Sequence, residues 1–154
     1  MNCALPGLPY SQTRLKPAEF ALVGSFSSKH IELGLDAVSG LQISGDREAL
    51  RTLVRNLVDN AVRYTPANGS VQVRTRATDS DAVLEVIDNG AGIPPQDRER
   101  VFDRFYRRAS AQESGTGLGL AIVKAIAERH GARVALSEAP GGGLNAAVSF
   151  PKPS

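Results

Sequence analysis

Two periods of hydrophobic spacing alternate along this chain. Over residues 30–36, apolar Ile31, Leu33 and Leu35 take every second position, the spacing of a strand with one buried face, and Leu41-Gln-Ile43 is a short run of the same kind. Together they predict an opening hairpin. Gly45-Asp46 then supplies a turn and an N-cap, because an Asp side chain accepts the unpaired amides of a first helical turn. The helix is expected over about 47–64, stopping before Pro66, with Leu50, Val54, Leu57, Val58 and Ala61 gathered on one side. Asn68-Gly69 marks the next turn. Residues 71–77 and 82–88 are β-rich runs separated by Thr78-Asp-Ser-Asp81, a spacing for antiparallel strands at the centre of a sheet. Residues 89–116 are rich in Gly, Pro, Ser and charge, with one short helical stretch near 96–104; so long a connection inside a small domain reads as a lid. A second helix is expected over about 118–130, closed by Gly131 as a left-handed C-cap. Two final strands, 132–137 and 144–150, are joined by Pro140-Gly-Gly-Gly143. The predicted fold class is α+β: a two-layer α/β sandwich with a mixed, mostly antiparallel sheet and helices on one face.

Composition narrows the function without naming it. The 154 residues suit one core, and 42% hydrophobic with 22% charged residues is ordinary for a globular protein. A formal charge of +2 gives no reason to expect a nucleic-acid partner. The single cysteine, Cys3, excludes an internal disulfide and a multi-thiolate metal site. No apolar run approaches the roughly 20 residues that span a bilayer. The start of the chain lacks a basic n-region and is broken by Pro6 and Pro9, so it does not resemble a secretory signal. Residues 1–20 are expected to be a linker or an expression remnant, and 21–154 the domain.

Candidate chemistry sits at three places. At 100° per residue, Asn56, Asn60 and Arg63 fall within about 60° of one another on the first helix, away from its apolar side. Amide oxygens are hard neutral ligands for Mg²⁺, so Asn60 first and Asn56 second are candidate metal ligands. Arg63 can reach phosphate and Tyr64 can lie against a base or ribose; the same residues also fit a solvated helix face. Asp88 ends an apolar strand, and a carboxylate partly buried there must find donors. The exocyclic amine of adenine is one, whereas guanine presents an oxygen there. Gly90 and Gly92 let a base approach the backbone, although an Asp-Asn-Gly turn needs no ligand to explain it. Gly115-Thr-Gly-Leu-Gly-Leu120 opens the second helix, whose free amides and positive end suit phosphate. With Leu120 at the third-glycine position it is not a dinucleotide fingerprint, and it lacks the Gly-Lys-Ser/Thr of a P-loop.

Four elements, Asn56-Leu-Val-Asp-Asn60, Asp88-Asn-Gly-Ala-Gly92-Ile-Pro94, Val101-Phe-Asp-Arg-Phe105-Tyr106 and Gly115 to Leu120, resemble in order and spacing the N, G1, F and G2 boxes of sensor histidine kinases, within the superfamily shared with Hsp90, DNA gyrase and MutL. The likeness covers about residues 30–150 and implies that family's catalytic ATP-binding domain with a Bergerat-type fold. It implies ATP and Mg²⁺ as ligands, with Asn56 and Asn60 at the metal and triphosphate, Asp88 at the adenine amine, and Gly90, Gly92 and Ile93 lining the base pocket. Phe102, Phe105 and Tyr106 would anchor the lid, Arg104 and Arg107 would contact phosphate, and Gly115, Thr116, Gly117, Leu118, Gly119 and Leu120 would form the G2 loop. The family's phosphoacceptor is a His followed by an acidic residue and a Pro on a helical hairpin. Neither His30, at the start of a strand, nor His130, at a helix end, has that setting, so no catalytic residue is expected in this chain. The implied partners are a His-bearing dimerisation domain of the parent kinase and, indirectly, a response regulator receiver domain. The domain would be cytoplasmic and monomeric in isolation, its parent anchored in the bacterial inner membrane. Two alternatives remain at this stage, an anti-sigma-type protein-serine kinase and a nucleotide-gated binding module without catalysis.

Overall fold

In the computed structural model, which describes residues 12–14, 30–38, 41–103 and 119–152, helix α1 (Arg47–Tyr64) begins where Asp46 caps it. The Asp46 carboxylate accepts from the amides of Glu48 at 2.9 Å and Ala49 at 3.2 Å, satisfying two donors that the first turn leaves unpaired. The helix stops at Thr65, whose hydroxyl donates back to the Ala61 carbonyl at 2.6 Å, because the following Pro66 has no amide to continue the ladder. Leu50, Leu53, Val54, Leu57, Val58 and Ala61 form its buried side. At about 1.5–3 kcal/mol for each large aliphatic side chain, that stripe outweighs any intrinsic helix preference.

The strands are β1 (Gln12–Arg14), β2 (Glu32–Asp36), β3 (Gln42–Ser44), β4 (Ser70–Ala77), β5 (Asp81–Asp88), β6 (Arg133–Glu138) and β7 (Leu144–Pro151). Five make one sheet in the order β2-β4-β5-β7-β6, antiparallel throughout except for the parallel pair β2–β4. Alternation decides the faces. Val71 and Val73 of β4, Leu84 and Val86 of β5, and Ala146, Val148 and Phe150 of β7 join the α1 residues and Val123, Ile126 and Ala127 in a single core. On the opposite face Glu85 accepts from Arg74 Nε at 2.8 Å and Asn145 Nδ2 at 3.3 Å, and pairs with Arg76. Burial, the largest single influence, pushes the Glu85 carboxyl up, but the bonds from Arg74 and Asn145 and the charges of Arg74 and Arg76 together hold it below the usual carboxylate range.

The opening hairpin expected from residues 30–43 does not form. β2 instead runs parallel to β4, with Leu33 opposite Val71 and Leu35 opposite Val73, while β3 pairs with β1 in a separate antiparallel ribbon. Period-two spacing fixes which face of a strand is apolar but not its partner. Here α1 serves as the crossover that a parallel pair requires. Gln12–Arg14, inside the segment expected to be a linker, thus docks on the domain.

The short helix expected near 96–104 is, as far as Asp103, two 3₁₀ turns, Pro95–Asp97 and Arg100–Phe102. Asp97 and Asp103 donate to the carbonyls of Pro94 and Arg100, each three residues back, which is the bonding of 3₁₀ rather than α turns. Helix α2 (Gly119–Arg129) ends as expected at Gly131, φ 66°, with the amides of Gly131 and Ala132 returning to the carbonyls of Glu128 and Ala127.

Candidate nucleotide-binding site

Asp88 is the last residue of β5 and faces the helices, 6% exposed. Its Oδ1 accepts two backbone amides, Gly90 at 2.9 Å and Leu144 at 3.2 Å. Among the described residues nothing donates to Oδ2. Burial pushes the Asp88 carboxyl above its usual range, and the two amides offset only part of that. One oxygen is therefore fixed by backbone while the other has no donor among the described residues.

The glycines around Asp88 sit where side chains do not fit. A Cβ on Gly90 would overlap the carbonyl oxygen of Tyr64, so the turn after β5 lies directly on the end of α1. Gly92 has φ 72° and comes within 3.1 Å, at its would-be Cβ, of the Gly143 carbonyl oxygen. Gly143 itself, φ 91°, lies against the Asp88 carbonyl, which a Cβ there would overlap. The Gly-rich connection between β6 and β7 thus packs directly against Asp88, and Gly143 and Leu144, which the sequence reading takes for part of an ordinary hairpin, touch the candidate site. The signal was three successive glycines where a tight turn needs one or two.

The other group of candidate residues lies on α1 and at the start of α2. Asn56 donates through Nδ2 to the Thr52 carbonyl at 2.8 Å, which orients its Oδ1 away from its own helix. That oxygen lies 3.4 Å from the Cβ position of Gly119, at the start of α2. Asn60, one turn along, is half-buried and its side chain has no hydrogen-bond partner among the described residues. Arg63 is half-buried on the same flank, and the Tyr64 side chain is exposed. From Tyr64 back to Asn56 the helix rises about 12 Å, so the carboxylate end and the amide end are separated by a span that suits an extended nucleotide. No cluster of three or more His, Cys, Asp or Glu that could hold a metal occurs among the described residues.

The structure brings Asp88, Gly90, Gly92 and Tyr64 together, and Asn56 with Gly119. Ile93 is half-buried against the core, its carbonyl accepting from Arg98 Nε at 3.1 Å. Leu120 is itself a core residue that packs α2 onto the domain. Phe102 packs on the core beneath Lys124, whose Nζ stands 5.9 Å from the ring centroid. Arg104, Phe105, Tyr106, Arg107 and Gly115 to Leu118 lie outside the described residues. The histidines have other settings than an acceptor's: His30 is exposed, and His130 bridges two helix ends. Among the described residues no helix is long and apolar enough to cross a membrane.

Residues 45–154 match the family model described as histidine kinase-, DNA gyrase B-, and HSP90-like ATPase. The phosphate regulon sensor protein PhoR of Pseudomonas aeruginosa is 42% identical over 127 residues, 80% of this chain and 29% of that protein. The chain therefore spans less than a third of that relative. Among solved structures, the mycobacterial sensor histidine kinase MprB superposes with a TM-score of 0.72 at 36% identity, covering 80% of this chain and 84% of that one. Full-length ShkA, solved in complex with AMPPNP, gives 0.76 at 28% identity over 98% of this chain and 33% of its own. A mixed sheet under two helices, a strand-end carboxylate walled by glycines and an asparagine flank facing a helix start, together with these matches, make the chain a member of the histidine kinase-, DNA gyrase B- and HSP90-like ATPases, the catalytic ATP-binding domain of a sensor histidine kinase.

Proposed function

We propose that this domain binds ATP with Mg²⁺ and donates the γ-phosphate to a His on a dimerisation domain of its parent kinase, from which the phosphate passes to a response regulator. The observation that carries this is Asp88, buried, with Oδ1 held by two amides and Oδ2 unengaged. Oδ2 accepts from the exocyclic amine of adenine. Guanine would present an oxygen to it and leave two acceptors facing each other without a proton, so the base is selected by an acceptor that the chain leaves open. Gly90 and Gly92 let the base lie on the backbone, and Ile93 and Tyr64 border it. Asn60 and Asn56 would hold the metal and the phosphates, with the amides at the start of α2 facing the negative charge. When bound, Mg²⁺ neutralises charge on the β- and γ-phosphates. The chain's own part is positioning and exclusion of wrong bases; the nucleophile comes from the partner. The AMPPNP complex of ShkA supports a nucleotide in this fold. A parent anchored in the bacterial inner membrane, with this domain in the cytoplasm, fits that role.

The test combines titration calorimetry with ATP, in Mg²⁺ and in EDTA, and transfer of labelled phosphate from ATP to a separately supplied His-bearing dimerisation hairpin. Metal-dependent heat and a labelled hairpin are expected. Heat without transfer to any such hairpin would leave a nucleotide-gated module, and absence of heat would remove the site.

A further inference from the structure

At the end of the molecule away from the glycine wall, α2 finishes where α1 begins. His130, just past α2, spans the two: its Nδ1 lies 2.7 Å from the Ile126 carbonyl, and its Nε2 accepts the Asp46 backbone amide at 3.0 Å. An amide can only donate and a carbonyl only accept, so the two bonds use Nε2 as acceptor and Nδ1 as donor. Gly45 lies against the ring, its would-be Cβ overlapping Cδ2 and falling 2.7 Å from Nε2 and 3.0 Å from Leu50 Cδ1. No side chain larger than hydrogen fits there while the ring stays in place.

The helices are antiparallel and touch at a second point. From Asp46 to Asn56 is ten residues along α1, and from Gly119 to His130 eleven along α2. At 1.5 Å per residue the two stretches are nearly equal, about 15 and 16 Å, so they form the long sides of a frame. One short side is the His130–Asp46 bond; the other is the approach of Asn56 Oδ1 to Gly119. Helices are stiff along their axes, so α2 cannot slide against α1 at one short side without sliding at the other. The buried Val123, Ile126 and Ala127 face the α1 stripe with apolar contacts, which fix separation more firmly than axial position. The hydrogen bond is the directional element.

We propose that His130 is a positioning residue for the nucleotide site, a strut that sets the axial register of α2 so that its first amides face Asn56 across the phosphates; this rests on the ATP site proposed above. The strut touches neither nucleotide nor metal. It acts through Gly119 and Asn56, about three helical turns away. No earlier feature of the sequence distinguished His130 beyond its place before Gly131.

The experiment measures ATP affinity with Mg²⁺ and thermal stability together for His130→Ala, His130→Gln, Gly45→Ala and, as a control, Val148→Ala, a fully buried β7 residue that belongs neither to the strut nor to the proposed site. Gln can return an acceptor oxygen toward the Asp46 amide, whereas Ala cannot. His130→Ala is expected to weaken ATP binding about fivefold, the ratio that one net hydrogen bond carries, and His130→Gln to restore most of it. Gly45→Ala, which displaces the ring from the other side, should repeat the loss. Val148→Ala should lower the melting temperature as much or more while leaving affinity within roughly twofold of the unaltered chain. The proposal is overturned if His130→Ala binds ATP as the unaltered chain does, if affinity follows melting temperature across all four variants, or if His130→Gln is as weak as His130→Ala. Failure of the unaltered chain to bind ATP would instead remove the site itself, and the strut's role with it.

Discussion

Replacing Asp88 with Asn separates binding from folding. The two shapes are alike, and an amide oxygen in the place of Oδ1 still accepts from Gly90 and Leu144, so the contacts that tie β5 to the hairpin before β7 persist. What changes is the other atom, which becomes a donor pointed at the donor amine of adenine. Losing a hydrogen bond to a charged acceptor costs about 1.5–3 kcal/mol, and the amine left unpaired in a buried pocket adds about 1–3 more. Taking about 3 kcal/mol as a conservative sum, Kd for ATP should rise by roughly two orders of magnitude. Stability should move the other way. The folded carboxyl is raised from 3.8, so the folded state binds a proton more readily than the unfolded chain, and the ionised form is a cost at neutral pH. That cost is full above the raised value, shrinks as pH falls through it, and vanishes below about 3.8. Asp88→Asn should therefore be as stable as the parent or more so at neutral pH, with the difference closing on acidification. Calorimetry with ATP and GTP in Mg²⁺, alongside urea denaturation, reads both effects, and the new amide, able to donate to guanine, should lower the preference for ATP over GTP. A folded Asp88→Asn that binds ATP within about twofold of the parent would refute the assignment of Oδ2.

Three further outcomes follow from other residues. Gly142 and Gly143 have φ of 90° and 91°, but only a Cβ on Gly143 meets backbone, so Gly143→Ala should cost about 2–4 kcal/mol in urea denaturation and weaken ATP, against about 1 kcal/mol for Gly142→Ala. Glu85 is held below its ordinary value of 4.5, so its stabilisation is present above that and lost as pH falls through the lower folded value. With guanidinium partners 40% and 48% exposed, Glu85→Gln should cost only about 1 kcal/mol at neutral pH, and the gap should close in acid. Asn60→Ala, whose side chain has no partner among the described residues, should leave urea stability within about 0.5 kcal/mol while lowering Mg²⁺-dependent ATP affinity on the order of tenfold.

Much of this architecture was written in local chemistry. Asp46 and Pro66 bracket α1, Gly131 ends α2, and the alternation in β4 and β5 names the buried face, because each depends on residues within a turn or two of one another. Partner choice was not legible. Leu33 and Leu35 would bury equally well in a hairpin or beside Val71 and Val73, and only the path of α1 over the sheet selects the second. The site divides in the same way. Asn56, Asn60 and Asp88 could be placed by helical phase and strand end, while Gly143 and Leu144 reach Asp88 from 55 and 56 residues away and carry no local mark of it. His130 was legible as something other than an acceptor, but its bond to Asp46, 84 residues distant, belongs to the packing.

The bond from Leu144 to Asp88 also imposes an order of assembly. A chain emerging from the ribosome completes α1 and the β4–β5 hairpin before β7, so Asp88 lacks one of its two backbone donors until β7 pairs with β5. A nucleotide held through Asp88, as proposed, is therefore captured only after β7 has joined the sheet. Added ligand should correspondingly rescue variants weakened near the C-terminal hairpin, since it draws the equilibrium toward the closed form.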